Sequence, residues 1–222
     1  MKSKLVISVL GALILLSIII VNFHSLSGLL RKELKGDITQ KSFYKSSLNK
    51  INNIYPPEES VILLGDSIFY GFGTNEINGL PVVNYSIPGD TSLLMVKRLP
   101  GLNFAKQNRV TILIGVNDLG TNVAPKEVID NIFEIAEYIK PLVADITIAK
   151  VILTNGISRN NAQIRKLNNL IEESFGENYP LIDFNSALKN KIGSAWQYTN
   201  DGIHLTEEGY RVLKQQLDSH YR

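Results

Sequence analysis

Apolar and polar positions divide the chain into three stretches. Leu5–Phe23 is a run of nineteen residues without a charge, broken only by Ser8, Ser17 and Asn22 among polar side chains. A helix needs about 20 apolar residues to cross a bilayer core, so the run predicts a membrane-spanning helix. No face of it is polar, which argues against a helix docked on a soluble domain. The rival is a secretory signal, whose apolar region usually has about 7–15 residues. Ser25-Leu26-Ser27 would supply the small-x-small cleavage site. The length favours the uncleaved anchor. Lys2 and Lys4 precede the run, while Arg31, Lys32 and Lys35 follow it, diluted by Glu33 and Asp37. This bias and the short N-terminal tail favour a cytoplasmic N-terminus, with the later residues outside the cytoplasmic membrane.

The expected organisation is an anchor over residues 1–24, a polar connector over 25–57 and one domain over 58–222. The connector is rich in Ser, Lys and Asn and ends at Tyr55-Pro56-Pro57. Within it, residues 40–53 predict a short helix with Phe43, Leu48 and Ile51 as its apolar stripe. From residue 58 the pattern changes. Val61–Leu64, Pro81–Tyr85, Val110–Ile114, Ile146–Leu153 and Leu181-Ile182 are short, β-branched apolar runs. Continuous runs of this kind suit strands buried on both faces. Between them lie helical periods. Pro125 takes a first helical position before Val128, Ile132, Ile135 and Ile139. Ile164, Leu167 and Ile171 repeat the spacing and Gly176 stops it. Thr206 is an N-cap candidate, followed by Glu207 and Glu208, with Tyr210, Leu213 and Leu217 facing inward. Strand–helix alternation implies a parallel sheet with right-handed crossovers and helices on both faces.

Composition narrows the chemistry. The 222 residues include no cysteine, which removes thiolate nucleophiles, disulfides and cysteine-type metal sites. With 23 Lys+Arg against 21 Asp+Glu, the charge is too balanced for a dedicated nucleic-acid binder. Three scattered histidines make a transition-metal centre unexpected. No Gly-x-x-x-x-Gly-Lys-[Ser/Thr] loop is present, and Gly71-Phe72-Gly73 lacks the third glycine of a dinucleotide fingerprint.

Ligands in parallel sheets gather at the carboxyl ends of the strands. Those ends are Gly65-Asp66-Ser67, Tyr85–Gly89 and Gly115–Asp118; Asp201-Gly202-Ile203-His204 precedes the last helix. Taken singly, Ser67 reads as a helix cap, Asp201 as a turn residue and Asn117-Asp118 as a strand-to-loop turn. Together they supply a nucleophile, a base and a carboxylate to orient it. A serine hydroxyl needs a neighbouring imidazole to take its proton. Asp201, three residues before His204, is near enough to hold that imidazole. Gly89, after Pro88, offers a backbone N–H, and Asn117 a side-chain amide, to a developing oxyanion.

Gly65-Asp66-Ser67, Gly89, Gly115-x-Asn117-Asp118 and Asp201-x-x-His204 resemble, in order and interval, the four blocks of the SGNH, or GDSL-type, hydrolases. Gly89-Asp90-Thr91-Ser92 and Tyr198–Leu205 resemble the small acylhydrolase branch, and the likeness covers roughly residues 58–220. Ile68 stands where the family usually has Leu. The resemblance implies Ser67 as nucleophile, His204 as general base and Asp201 as its orienting partner. It implies an oxyanion hole of the Ser67 and Gly89 N–H groups and the Asn117 amide. It also implies a flavodoxin-like three-layer α/β/α sandwich around a five-stranded parallel sheet, with no metal and no cofactor. The segment Ile68–Leu80, with several glycines, reads as a pocket wall. The Gly-x-Ser-x-Gly elbow of ordinary α/β-hydrolases is missing.

The expected function is a membrane-held serine esterase cleaving a small O-acyl ester, such as an acetyl group on a glycan. Lysophospholipase or thioesterase action is a second reading, and acyl transfer to a sugar by the same triad a third. A binding module on an inactive fold fits least, because the triad is intact.

Overall fold

The structure, a computed structural model, describes residues 37–156 and 159–222. The expected span at residues 5–23 lies outside them. Among the described residues no helix is long and apolar enough to cross a membrane.

Six strands build one sheet in the order β2-β3-β1-β4-β5-β6. They are β1 (Val61–Gly65), β2 (Glu76–Ile77), β3 (Leu80–Asn84), β4 (Arg109–Leu113), β5 (Asp145–Ala149) and β6 (Leu181–Ile182). The five strands from β3 to β6 are parallel, with Val61 opposite Val82 and Arg109, Val110 opposite Ile146, and Ile148 opposite Leu181. The expectation of five strands is corrected by β2, which pairs antiparallel with β3 at the edge. Two residues carry no legible periodicity. The local cause is the Asn78-Gly79 turn, with φ of 47° and 79°, which folds the chain into a tight hairpin. Asp218 accepts from the Asn78 N–H at 2.8 Å, and the Tyr221 carbonyl from the Asn78 amide at 2.9 Å.

The helices follow in chain order as α1 (Ser42–Asn52), α2 (Ser67–Tyr70), α3 (Ser92–Arg98), α4 (Val116–Gly120), α5 (Pro125–Ile139), α6 (Asn161–Phe175), α7 (Phe184–Lys191), α8 (Ala195–Tyr198) and α9 (Glu207–His220). The side chains of the central strands β1, β4 and β5 are buried on both faces, and two helix groups cover them. In one group α5 packs against α3 and α6; in the other α7 packs against α9. Local signals set the boundaries. Pro125 opens α5, the Asn160 side chain caps α6 by accepting from Ala162 N–H, and Gly176 closes it. Thr206 caps α9 through the Gly209 N–H at 3.1 Å.

Thr39–Arg222 forms one compact unit, so α1 belongs with the sheet. Its buried stripe is Tyr44 and Ile51, not Phe43, which is 42% exposed. Tyr44 lies seven residues before Ile51 on the same helix face, and its hydroxyl has a buried partner in Asp90.

Candidate active site

β1 delivers Ser67. Gly65 ends the strand, and a Cβ there would lie 2.7 Å from the Leu113 carbonyl oxygen, so the close pairing with β4 requires glycine. Asp66 is the extended N-cap of α2 and accepts from the Ile68 N–H at 2.9 Å. Ser67 is therefore the first helical residue, and its N–H has no acceptor within the helix. Its side chain meets His204: Oγ and Nε2 are 2.9 Å apart.

His204 is positioned by its own loop. Asp201 Oδ1 accepts from the backbone N–H groups of Ile203 and His204 at 3.0 and 2.8 Å. Asp201 Oδ2 lies 2.6 Å from His204 Nδ1. A carboxylate can only accept, so the proton sits on Nδ1 and Nε2 is left to accept from Ser67. Burial pushes the Asp201 carboxyl up, but its bonds to the His204 N–H, the His204 ring and the Ile203 N–H outweigh that and hold it at about 2. The acid therefore stays ionised at neutral and mildly acidic pH. Gly202, at φ 88°, turns the loop and leaves no room for a Cβ beside Asn155. A bridge between Thr199 and Leu205 and the Asn200 N–H to His204 carbonyl bond of 2.8 Å close it.

The second block is carried past the end of β1. Tyr85 N–H donates to the Leu63 carbonyl at 2.9 Å and Ile87 N–H to the Gly65 carbonyl at 3.2 Å, which sets Pro88-Gly89 beside Ser67. Asp90 N–H donates back to the Ile87 carbonyl at 3.1 Å, and Gly89 has φ of 81°. Proline then glycine at the two central positions is the signature of a type II turn. Gly89 N–H donates to no other group among the described residues. In the third block, Gly115 at φ 128° opens α4 and Asn117 follows in its first turn. Asn117 Nδ2 donates one hydrogen to the Asp90 carbonyl at 2.9 Å, leaving the second N–H of the amide for an oxyanion. The expected residues Ser67, Gly89 and Asn117 thus lie past the ends of β1, β3 and β4, and the loop before α9 brings Asp201 and His204 to Ser67.

Sequence reading gave no role to three buried aspartates around them. Asp118 accepts from the Ser92 hydroxyl at 2.6 Å and the Ser92 N–H at 3.1 Å, stitching the third block to the second. Asp90 is paired with Arg98 at 2.7 Å. Asp66 is raised to about 7: burial dominates, the Ile68 N–H pulls down, the Asp90 and Asp118 carboxylates push up, and Arg159 pulls down. Its position directly before Ser67 was visible; its burial was not.

Asp66 has a consequence for stability. Its folded pKa lies above the unfolded value of 3.8, so its contribution is full below that value and lost as pH rises through about 7. Asn at this position keeps an oxygen to accept from Ile68 but carries no charge. The melting temperature of Asp66→Asn relative to wild type should therefore rise between pH 4 and pH 8, on the order of 5 °C. A difference that stays flat across that range would show that Asp66 does not titrate there.

Residues 63–212 match the GDSL-like lipase/acylhydrolase family. The chain belongs to that family. Among solved structures, the chain resembles a GDSL-like lipase from Bacteroides thetaiotaomicron, with a TM-score of 0.65 at 23% identity over 80% of this chain and 96% of that one. It also resembles an acetylxylan esterase from Geobacillus stearothermophilus, with a TM-score of 0.60 at 18% identity, covering 72% and 93% of the two chains. At those identities the likeness is one of fold. In sequence it is 31% identical over 180 residues to an N-acylneuraminate cytidylyltransferase of Streptococcus agalactiae, covering 79% of this chain and 41% of that one. The chain thus spans about two-fifths of the length of that relative.

Proposed function

We propose that this chain is a serine esterase that removes a short acyl group, such as acetyl, from a carbohydrate hydroxyl. The 2.9 Å contact between Ser67 Oγ and a His204 ring already fixed by Asp201 carries the reading. Ser67 Oγ attacks the ester carbonyl as His204 Nε2 takes its proton. The oxyanion is held by the Ser67 and Gly89 N–H groups and the free N–H of Asn117. The tetrahedral intermediate collapses to an acyl-serine, and His204 returns the proton to the departing sugar hydroxyl. Water, deprotonated by His204, then attacks the acyl-serine; Ser67 leaves with its proton restored and a carboxylic acid is released.

Two further observations support a bulky alcohol and a small acyl group. The His204 and Asp201 side chains are 45% and 55% exposed, so the leaving-group side of the triad is open. The proteins it resembles include an acetylxylan esterase and an N-acylneuraminate cytidylyltransferase, both named for carbohydrate substrates. A series of aryl esters of rising acyl length, run beside acetylated sugars and polysaccharides, tests the reading. Acetate should be released faster than octanoate by about tenfold or more, as pockets discriminating by methylenes allow. Preference for long chains would replace this reading with lysophospholipase or thioesterase action. Acyl groups passed to added sugars faster than to water would replace it with acyl transfer.

A further inference from the structure

The oxyanion donors depend on Asp90 twice. Its N–H closes the turn that presents Gly89, and its carbonyl holds Asn117 at 2.9 Å. The Asp90 carboxylate is fully buried and is gripped from two elements. Arg98 Nε, on α3, donates to Oδ2 at 2.7 Å. The Tyr44 hydroxyl, on α1, donates to Oδ1 at 3.0 Å from 46 residues away. The Arg98 side chain is only 2% exposed, yet its Nη1 and Nη2 have no hydrogen-bond partner. A guanidinium prefers a carboxylate in a two-pronged fork. Here it makes one prong and leaves two nitrogens unmatched, at a desolvation cost that native proteins rarely bear.

We propose that Tyr44, on a helix that precedes all four sequence blocks, is a positioning residue for the oxyanion donors, acting through the Asp90 carboxylate. The hydroxyl occupies Oδ1 and so keeps Asp90 from rotating into the fork that Arg98 offers. Without it, Oδ1 is a buried acceptor lacking its partner, and the unmatched Arg98 nitrogens are the nearest remedy. Rotation toward them pulls on the Asp90 main chain, and with it on the Gly89 turn and the Asn117 amide. Those donors strengthen their bonds only as charge develops, so the loss falls on the transition state. The proposal rests on the serine-esterase reading.

The full-length chain carrying Tyr44→Phe tests it, since phenylalanine keeps the buried ring and removes only the hydroxyl. Endpoint labelling with a fluorophosphonate counts competent sites, so misfolded protein lowers the count and not the rate per site. With an aryl acetate, kcat per titrated site should fall about tenfold, the scale of one hydrogen bond to a charged group, and KM should stay within about twofold. Ile51→Ala loosens the same helix without touching the bond and should leave kcat per site unchanged. In an Asn117→Ala background the Tyr44→Phe penalty should shrink, because the two act on one cradle. An unchanged kcat per site in Tyr44→Phe overturns the proposal, as does an equal fall in Ile51→Ala or full additivity with Asn117→Ala. Wild-type turnover that does not depend on Ser67 fails the esterase reading itself. Turnover that depends on Ser67 but ignores Tyr44→Phe fails the positioning role alone.

Discussion

Ser67→Ala is expected to lower ester turnover by about 10⁴–10⁶-fold, the range seen when a triad nucleophile is removed. Thermal unfolding should barely change. The cap of α2 comes from the Asp66 side chain and not from Ser67, and alanine favours a helix more than serine does. Ser67 Oγ contacts His204 Nε2, so its removal leaves the base without a proton to take. His204 and Asp201 keep their own contact at 2.6 Å, since it is made inside one loop. Residual turnover would come from the oxyanion donors acting on a water. An organophosphonate should label the wild-type chain at Ser67 and leave the variant unlabelled. Labelling at a different serine, or turnover equal to wild type, would remove Ser67 from the mechanism.

The central strands were legible because a strand buried on both faces must be apolar at nearly every position, and Val61–Gly65 and Arg109–Leu113 are buried along almost their whole length. β2 was not, because its two residues have no period; only the Asn78-Gly79 pair announced a hairpin. Helix α1 was legible as a helix with Ile51 on its inner face, but not in which of its two aromatics is buried. Phe43 and Tyr44 are both aromatic neighbours, and hydrophobicity alone does not choose between them. The choice belongs to the Tyr44 hydroxyl and its bond to Asp90, a contact set by tertiary packing. The same division runs through the site. Asp201 and His204 lie three residues apart, so their pairing is local and readable. Asp118 and Ser92 are 26 residues apart, and Asp66, Asp90 and Asp118 converge only once β1 and β4 stand side by side. Sequence order holds no measure of that convergence.

Asn117→Ala is expected to lower kcat by about 100–1,000-fold, as loss of one side-chain oxyanion donor does, with little change in KM. Two features of the amide lead there. It sits in the first turn of α4, whose start is fixed by Gly115 at φ 128°. Its Nδ2 is tied to the Asp90 carbonyl at 2.9 Å, so the remaining N–H has one direction available and is set before substrate arrives. A donor oriented in advance needs no reorganisation as the carbonyl oxygen gains charge, and a neutral ester carbonyl gains little from it. The loss therefore belongs to turnover and not to binding. Asn117→Asp makes the sharper case. It keeps the shape of the side chain but replaces donors with an anionic acceptor, beside the Asp90 carbonyl and the developing oxyanion, so its kcat should fall below that of Asn117→Ala. Steady-state constants for both variants, normalised to sites counted with a phosphonate, give the comparison. A KM that rises at constant kcat would make Asn117 a substrate contact, and Asn117→Asp outperforming Asn117→Ala would show that its N–H groups do not face the oxyanion.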